Sequence, residues 1–319
     1  MAPMNLVAAQ RTKIISNLKT VIIIAGPTAS GKTALAIRLA QLYHTSVISA
    51  DSRQCYREIS IGTAKPTPEE LAAVPHYFID SHSIREEVNA GVYEQLALQY
   101  ARDIFRDNDV AIMCGGTGLY IRAFCEGIDD MPAIPPGVRE RLNAQYQEHG
   151  LAWLQEQLQL RDPAFYATAE TQNPQRLIRA LEVLEATGHS ITTFRTATKA
   201  QRDFRVIKIG INLPKELLHE NIHKRVDLMM DAGLVAEVKS VVPYRQHNAL
   251  RTVGYQEIFD YFDGKLSLEK AVEDIKTHTR QYAKRQLTWF RKDTAYHWFD
   301  PRYPEVIVNW VQQQLQQPS

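Results

Sequence analysis

Eight consecutive residues near the start of the chain, Gly26-Pro27-Thr28-Ala29-Ser30-Gly31-Lys32-Thr33, carry glycines, a lysine and a hydroxyl at the spacing that holds phosphates. In a G-x-x-x-x-G-K-[ST] loop, successive backbone N–H groups and the start of the next helix attract an anion. Lys32 adds a point charge, and the Thr33 hydroxyl is placed to meet a Mg²⁺ ion. An apolar β-branched run at 21–25 precedes the loop, and Ala, Leu and Ile at helical spacing follow it over 33–43. The motif therefore sits where it must, after a buried strand and at the opening of a helix.

Whose phosphates the loop holds depends on what accompanies it. A nucleotide hydrolase also needs an acidic residue after an apolar strand to hold Mg²⁺. The obvious strand, 110–114, ends in Cys114-Gly115-Gly116-Thr117-Gly118 with no carboxylate. Asp51 does end a strand-like run, 45–50, and Ser52-Arg53-Gln54 follow it. It reads as a metal holder or a general base. The loop amides and Lys32 need only a diphosphate.

Three more patterns bear on chemistry. In the helical stretch 214–233, Leu218, Ile222 and Met229 form one apolar stripe with Arg225 in its middle. An arginine there needs an anion facing it, either a core carboxylate or a ligand phosphate. The same stretch contains His219-Glu220-Asn221-Ile222-His223, an H-E-x-x-H string. No G-x-x-H follows and no third ligand is evident, so zinc is not expected. Finally, 271–292 places Lys276, Arg280, Lys284 and Arg291 on one helix face, with Tyr282, Trp289 and Phe290 interleaved. Such a face either tracks a sugar-phosphate backbone and stacks bases, or is simply solvated. A second basic cluster is Gln175-Arg176-Leu177-Ile178-Arg179.

Positioning these groups requires an α/β fold. The order of elements to residue 114 is β-α-β…α-β, which implies a right-handed parallel sheet flanked by helices, as in P-loop proteins. Candidate strands are 21–25, 45–50, 76–80, 110–114, 204–211 and 296–299. The proline-rich stretch 131–137 marks a change of texture, and 138–198 has almost no strand signal. It includes a helix at 173–187 with Asn173 as N-cap and Pro174 at the first helical position. Long helices are expected at 214–233, 254–262 and 268–292, and another at the end of the chain. The division read from this is a P-loop core at 20–130 and 202–319, an all-helical insertion at 131–201 and a lead-in at 1–19.

Bulk properties narrow the setting. The 319 residues carry a net charge of +1, so any nucleic-acid surface must be local. Cys55, Cys114 and Cys125 make neither a disulfide framework nor a C-x-x-C pair, which fits a reducing cytosol. No apolar run approaches the roughly 18 residues of a membrane span, and no signal peptide is evident. A cytoplasmic monomer without membrane contact is expected.

The motifs taken together resemble the tRNA dimethylallyltransferase (tRNA isopentenyltransferase) family. They are GPTASGKT at 26–33, DSRQCYREISIGTAKP at 51–66, GGTGLY at 115–120, NPQRLIRALEV at 173–183, RTVGYQE at 251–257 and TRQYAKRQLTWFR at 279–291. The resemblance covers nearly the whole chain after the lead-in and implies a P-loop α/β core with a helical insertion. It implies that the loop, residues 26–33, holds dimethylallyl diphosphate, and that the acceptor is N6 of an adenosine next to the anticodon of tRNAs reading codons that begin with U. Asp51 then matches the general base, and Thr28 the residue that hydrogen-bonds the departing oxygen. Lys32 and Arg225 match diphosphate-binding charges, and Thr33 the Mg²⁺-side hydroxyl. Positions matching tRNA contacts are Asp51, Ser52, Arg53, Gln54, Thr117, Arg139, Gln175, Arg176, Leu177, Ile178 and Arg179. They continue with Arg251, Thr252, Val253, Gly254, Tyr255, Gln256, Lys284, Arg285, Gln286, Leu287, Thr288, Trp289, Phe290 and Arg291. Cys55 stands where the family has an aliphatic residue. Other readings of the loop are a nucleotide or small-molecule kinase, which ATP turnover without a prenyl donor would reveal, and a non-enzymatic RNA-binding protein. A related group prenylates free adenylates, but the insertion and the basic C-terminal helix disfavour that acceptor.

Overall fold

The computed structural model describes residues 19–196 and 198–317, so the lead-in at 1–18 lies outside the described residues. The chain divides into two compact units: Gly127–Ala200, and the residues before and after it.

The larger unit is built on Thr20–Ala25 (β1), whose residues are all buried. Val21 and Ile23 face one core with Tyr93 and Phe124, while Ile22 and Ile24 face another with Leu39 and Val311. This alternation, apolar on both faces, is what a strand covered by helices on each side requires. The chain continues through Lys32–Leu42 (α1), Val47–Ser49 (β2), Pro68–Ala73 (α2), His76–Tyr77 (β3), Ala90–Phe105 (α3), Val110–Gly115 (β4) and Gly118–Glu126 (α4).

The smaller unit follows, with Val138–Arg161 (α5), Pro163–Tyr166 (α6) and Pro174–Thr187 (α7). It has its own core, including Leu154, Leu158, Leu177, Ile178 and Leu181. The Asn173 side chain caps α7 by accepting from Arg176 N, with Pro174 next in line. Gly150 interrupts α5 with non-helical φ/ψ.

The chain then returns as Arg205–Ile211 (β5), Lys215–Asp231 (α8), Leu234–Ser240 (α9), Tyr255–Phe262 (α10), Leu268–Phe290 (α11), Tyr296–Phe299 (β6) and Pro304–Gln316 (α12). The six strands lie in the order β3-β2-β4-β1-β5-β6, every pair parallel. Ala25 lies opposite Gly115 on one side and Gly210 on the other. The phosphate loop, the Gly116 loop and the Asp51 loop therefore all leave the carboxyl edge of the sheet, where ligands of open α/β folds bind.

Two expected strands are shorter than their apolar runs. Residues 45–50 pair only over Val47–Ser49, because the Thr45 amide still belongs to the end of α1, donating to Ala40 O (2.9 Å). Residues 76–80 pair only at His76–Tyr77, since Phe78 turns left-handed at φ 64. Three helices lacked a recognised signal: α2, α4 and α9. Of these, α2 did carry one, a capping box in which Thr67 accepts from Glu70 N and Glu70 from Thr67 N.

Candidate active site

Gly26 to Thr33 leave β1 and enter α1. The N-cap, Gly31, supplies no side-chain acceptor, so the first amides of α1 are not capped by the protein. Ala29 is held at φ 61, a conformation costing a non-glycine residue about 1 kcal/mol. Asn221 of α8 donates to its carbonyl (3.3 Å) and helps to hold it there. Lys32 folds back, its Nζ donating to Pro27 O (2.5 Å). Burial pulls the Lys32 ammonium down to about 8; Arg225 adds to the effect, and Cys114 and Asp51 oppose it.

Arg225 of α8 reaches the same loop, with Nη1 3.4 Å from Thr28 Oγ1. Leu218, Ile222 and Val226 beside it are buried. Burial lowers the Arg225 pKa and Asp51 raises it. Of the two partners open to this arginine, a core carboxylate is not found: among the described residues Arg225 has no ion pair. A largely desolvated guanidinium in that position suits an anionic ligand.

Asp51 follows β2. Its Oδ1 accepts from Arg53 N (2.9 Å) and Gln54 N (3.4 Å), an Asx turn that fixes the carboxylate and leaves Oδ2 for another donor. Ser52 N donates to Thr117 Oγ1 (3.0 Å), and Thr117 N donates to Ala50 O (3.1 Å). Gln54 braces a further loop through Nε2, which donates to Ala64 O (3.0 Å) and Thr63 O (3.3 Å). The phosphate loop, Asp51 and Arg225 line one cavity of about 1250 Å³.

The 251–256 segment borders this cavity through Arg251, Thr252, Val253, Gly254 and Gln256. Tyr255 does not join them. It is fully buried, its ring lies where a Cβ on Gly62 would be, and its hydroxyl donates to Glu237 Oε1 (2.6 Å). Glu237 also accepts from the amides of Ser60, Ile61 and Gly62 at 2.8–2.9 Å. The sequence offered no hint of this clasp.

On α11, Lys284, Arg285, Thr288 and Trp289 are exposed, and the Arg285 guanidinium lies 5.8 Å from the Tyr282 ring centroid. Arg291 donates to Asn212 Oδ1 (3.3 Å). The rest of the expected basic face needs correcting. Lys276 is paired with Asp227 (2.9 Å) and Glu273 (3.2 Å), and Arg280 donates to His223 Nε2 (3.0 Å) and Thr277 Oγ1 (2.9 Å). His223 thus serves as an acceptor for an arginine. Leu287 joins an apolar cluster with Leu213 and Ile222, while Phe290 and Gln286 are buried. Gln286 points at the loops: Oε1 accepts from Thr28 N (2.9 Å) and Nε2 donates to Gly116 O (2.9 Å). A Cβ on Gly116 would sit 2.2 Å from Gln286 Nε2, and one on Gly118 would sit 2.1 Å from Trp289 Cδ1. Close approach of α11 therefore explains two glycines of the GGTG string.

In the smaller unit, buried Glu182 holds Arg139 (3.2 Å) and Arg179 (3.1 Å), and Arg139 also donates to Gln175 Oε1 (3.3 Å). Arg176 pairs with Glu170 (3.2 Å). Leu177 and Ile178 point into the core, because apolar side chains at those positions of α7 complete it. They do not face a ligand.

The donors available for a metal at the loop are hard oxygens: the Thr33 hydroxyl, Asp51 and Glu70 all line the cavity. Among the described residues, no three or more His, Cys, Asp or Glu converge on a metal site. This set fits Mg²⁺, which takes one or two protein oxygens and completes its shell with water and substrate phosphate. It does not fit a metal needing a full protein cage.

Comparison with known proteins agrees with this geometry. The IPP transferase family model matches residues 54–293. The tRNA dimethylallyltransferase of Cytophaga hutchinsonii is 46% identical over 299 residues, 94% of this chain and 98% of that protein. The tRNA dimethylallyltransferase 1 of Bacteroides thetaiotaomicron is 43% identical over 297 residues, 93% of this chain and 96% of that one. The crystal structure of the full-length tRNA isopentenylpyrophosphate transferase from Bacillus halodurans superposes with a TM-score of 0.69 at 33% identity, covering 93% of this chain and 97% of that one. A eukaryotic dimethylallyltransferase acting on tRNA superposes with a TM-score of 0.69 at 28% identity, covering 85% and 69%. The family model matches well over half of the chain and the likeness to these relatives spans nearly all of it, and on that ground the chain belongs to the IPP transferase family.

Proposed function

We propose that this enzyme transfers a dimethylallyl group from dimethylallyl diphosphate to N6 of the adenosine next to the anticodon, in tRNAs that read codons beginning with U. The observation that carries the proposal is Arg225, a guanidinium without an ion pair among the described residues. It lies beside Thr28, in the cavity that also receives Lys32 and the Asp51 carboxylate. Cations, loop amides and a carboxylate lining one cavity suit a leaving diphosphate and a nucleophile that must lose a proton.

In this mechanism the adenine amino group attacks the allylic carbon. Its lone pair is delocalised into the ring, so the N–H proton must leave as the C–N bond forms, and Asp51 accepts it. The C–O bond to diphosphate breaks in the same event. Negative charge grows on the departing oxygen, where Thr28, Arg225, Lys32 and the loop amides meet it. Mg²⁺, held at Thr33, would neutralise part of the diphosphate charge. The base has to leave its stack to reach the cavity, and the positions bordering it at 51–54 and 251–254 are suited to receive it.

Incubating the protein with labelled dimethylallyl diphosphate and total tRNA, followed by nucleoside analysis, tests the reaction. Label in N6-isopentenyladenosine is expected. ATP turnover with no label in tRNA would point to a kinase instead. Asp51→Asn should cut turnover about 10²–10⁴-fold with tRNA binding retained. Normal turnover would remove Asp51 from the role of base.

A further inference from the structure

Gln286 is buried on α11, a helix read from sequence as a tRNA-contacting element. Its carboxamide lines the cavity wall and is engaged at both ends. Oε1 accepts from the Thr28 amide at 2.9 Å, and Nε2 donates to the Gly116 carbonyl at 2.9 Å. These groups belong to different loops, one leaving β1 and the other leaving β4. The Gly116 loop is in turn tied to the Asp51 loop. Thr117 Oγ1 accepts from Ser52 N at 3.0 Å, and Thr117 N donates to Ala50 O at 3.1 Å. One continuous hydrogen-bonded path therefore runs from Thr28 through Gln286, Gly116 and Thr117 to the residues flanking Asp51.

We infer that Gln286 is a positioning residue for the transfer reaction: its carboxamide sets the separation between the loop that receives the leaving oxygen and the loop that carries the base. The inference rests on the roles proposed above for Thr28 and Asp51. Only a carboxamide serves both ends. Thr28 N needs an acceptor and Gly116 O needs a donor, and one side chain supplies both at the wall of the cavity. The glycine at 116 is part of the device, since a methyl there would fall on Nε2 and drive the carboxamide out. Small displacements of reacting groups carry large rate penalties, so the bridge acts on turnover rather than on affinity. Because Gln286 lies on the opposite side of α11 from the exposed Lys284, the helix that would meet tRNA outside is the one that braces the reacting loops inside.

The test compares Gln286→Met, which keeps the length and removes both polar ends, with Gln286→Glu, which keeps the acceptor and loses the donor. Both are made in the full chain and assayed for kcat, for KM of each substrate, for tRNA dissociation constant and for melting temperature. The expected result is a kcat about 10–100-fold lower for both variants with an unchanged tRNA dissociation constant. Gly116→Ala should reproduce that loss. A weaker tRNA complex with kcat unchanged would overturn the inference and return Gln286 to the tRNA surface. A lower melting temperature with normal kcat would overturn it as well, leaving a packing role. Should the methionine variant not fold, the near-isosteric glutamate variant carries the same readout. Asp51→Asn is assayed in parallel. If it turns over normally, the proposed base is wrong; if it is inactive while both Gln286 variants are normal, only the bridge is wrong.

Discussion

Lys32 titrates at about 8, mainly because the protein has stripped water from its ammonium group and secondarily because Arg225 is close. Below that pH it is a cation that attracts diphosphate; as pH rises through about 8 it becomes neutral and the attraction is lost. Inorganic pyrophosphate gains charge itself as pH rises, so the informative quantity is the ratio of wild-type to Lys32→Met affinity. That ratio should fall as pH passes through about 8 when measured calorimetrically. A ratio flat across the range would mean that the charge at 32 contributes nothing to the anion. At this scale the sequence was partly legible. Lys32 and Asp51 announce themselves by motif and by position at a strand end, because both follow from local chain geometry. Arg225 was visible as an inconsistency, a charge within an apolar stripe, although its partner was not. Gln286 was named only as a position matching tRNA contacts, and its bracing role was not legible, since spacing shows which residues share a face but not that residue 286 meets residues 28 and 116.

Helices α5 and α7 illustrate a difficulty for any alanine scan. Arg139 and Arg179 both match tRNA-contacting positions, yet both also neutralise Glu182, a carboxylate only 1% exposed. Replacing both arginines by alanine leaves that carboxylate buried and unpaired, at a cost of about 3 kcal/mol. The double variant should therefore melt earlier as well as bind tRNA less well, and the two effects are separable. Adding Glu182→Gln should restore much of the melting temperature while leaving tRNA binding weak. Recovery of binding along with stability would mean that the arginines act only as structural counter-ions. Element boundaries followed the same logic of local against distant causes. The start of α7 was readable from Asn173 and Pro174. The late start of β2 and the early end of β3 were not, because they depend on the Thr45 amide closing α1 at Ala40 O and on the left-handed turn at Phe78. The face of α11 was over-read for a similar reason, as the partner of Lys276 lies on α8 at Asp227.

The molecule as a whole carries a net charge of only +1. Its attraction for a polyanion must come from local groups, and the exposed Lys284 is one that has no ion pair among the described residues. Lys284→Ala should reduce the slope of log affinity against log salt by about one phosphate contact. An unchanged slope would place the RNA on another face. The parallel sheet was legible from its β-branched runs, but the strand order β3-β2-β4-β1-β5-β6 was not, because neighbouring strands come from distant parts of the chain. That order has a consequence for biosynthesis. The phosphate loop is translated within the first tenth or so of the chain. The strand it hangs from, however, pairs with residues near 110 and 205, and its brace arrives only at residue 286. Loop closures of that length are slow, and domains fold as units during synthesis. A nascent or prematurely terminated chain that stops short of α11 thus carries the phosphate motif but not the site, so competence for chemistry appears only when the chain is nearly complete.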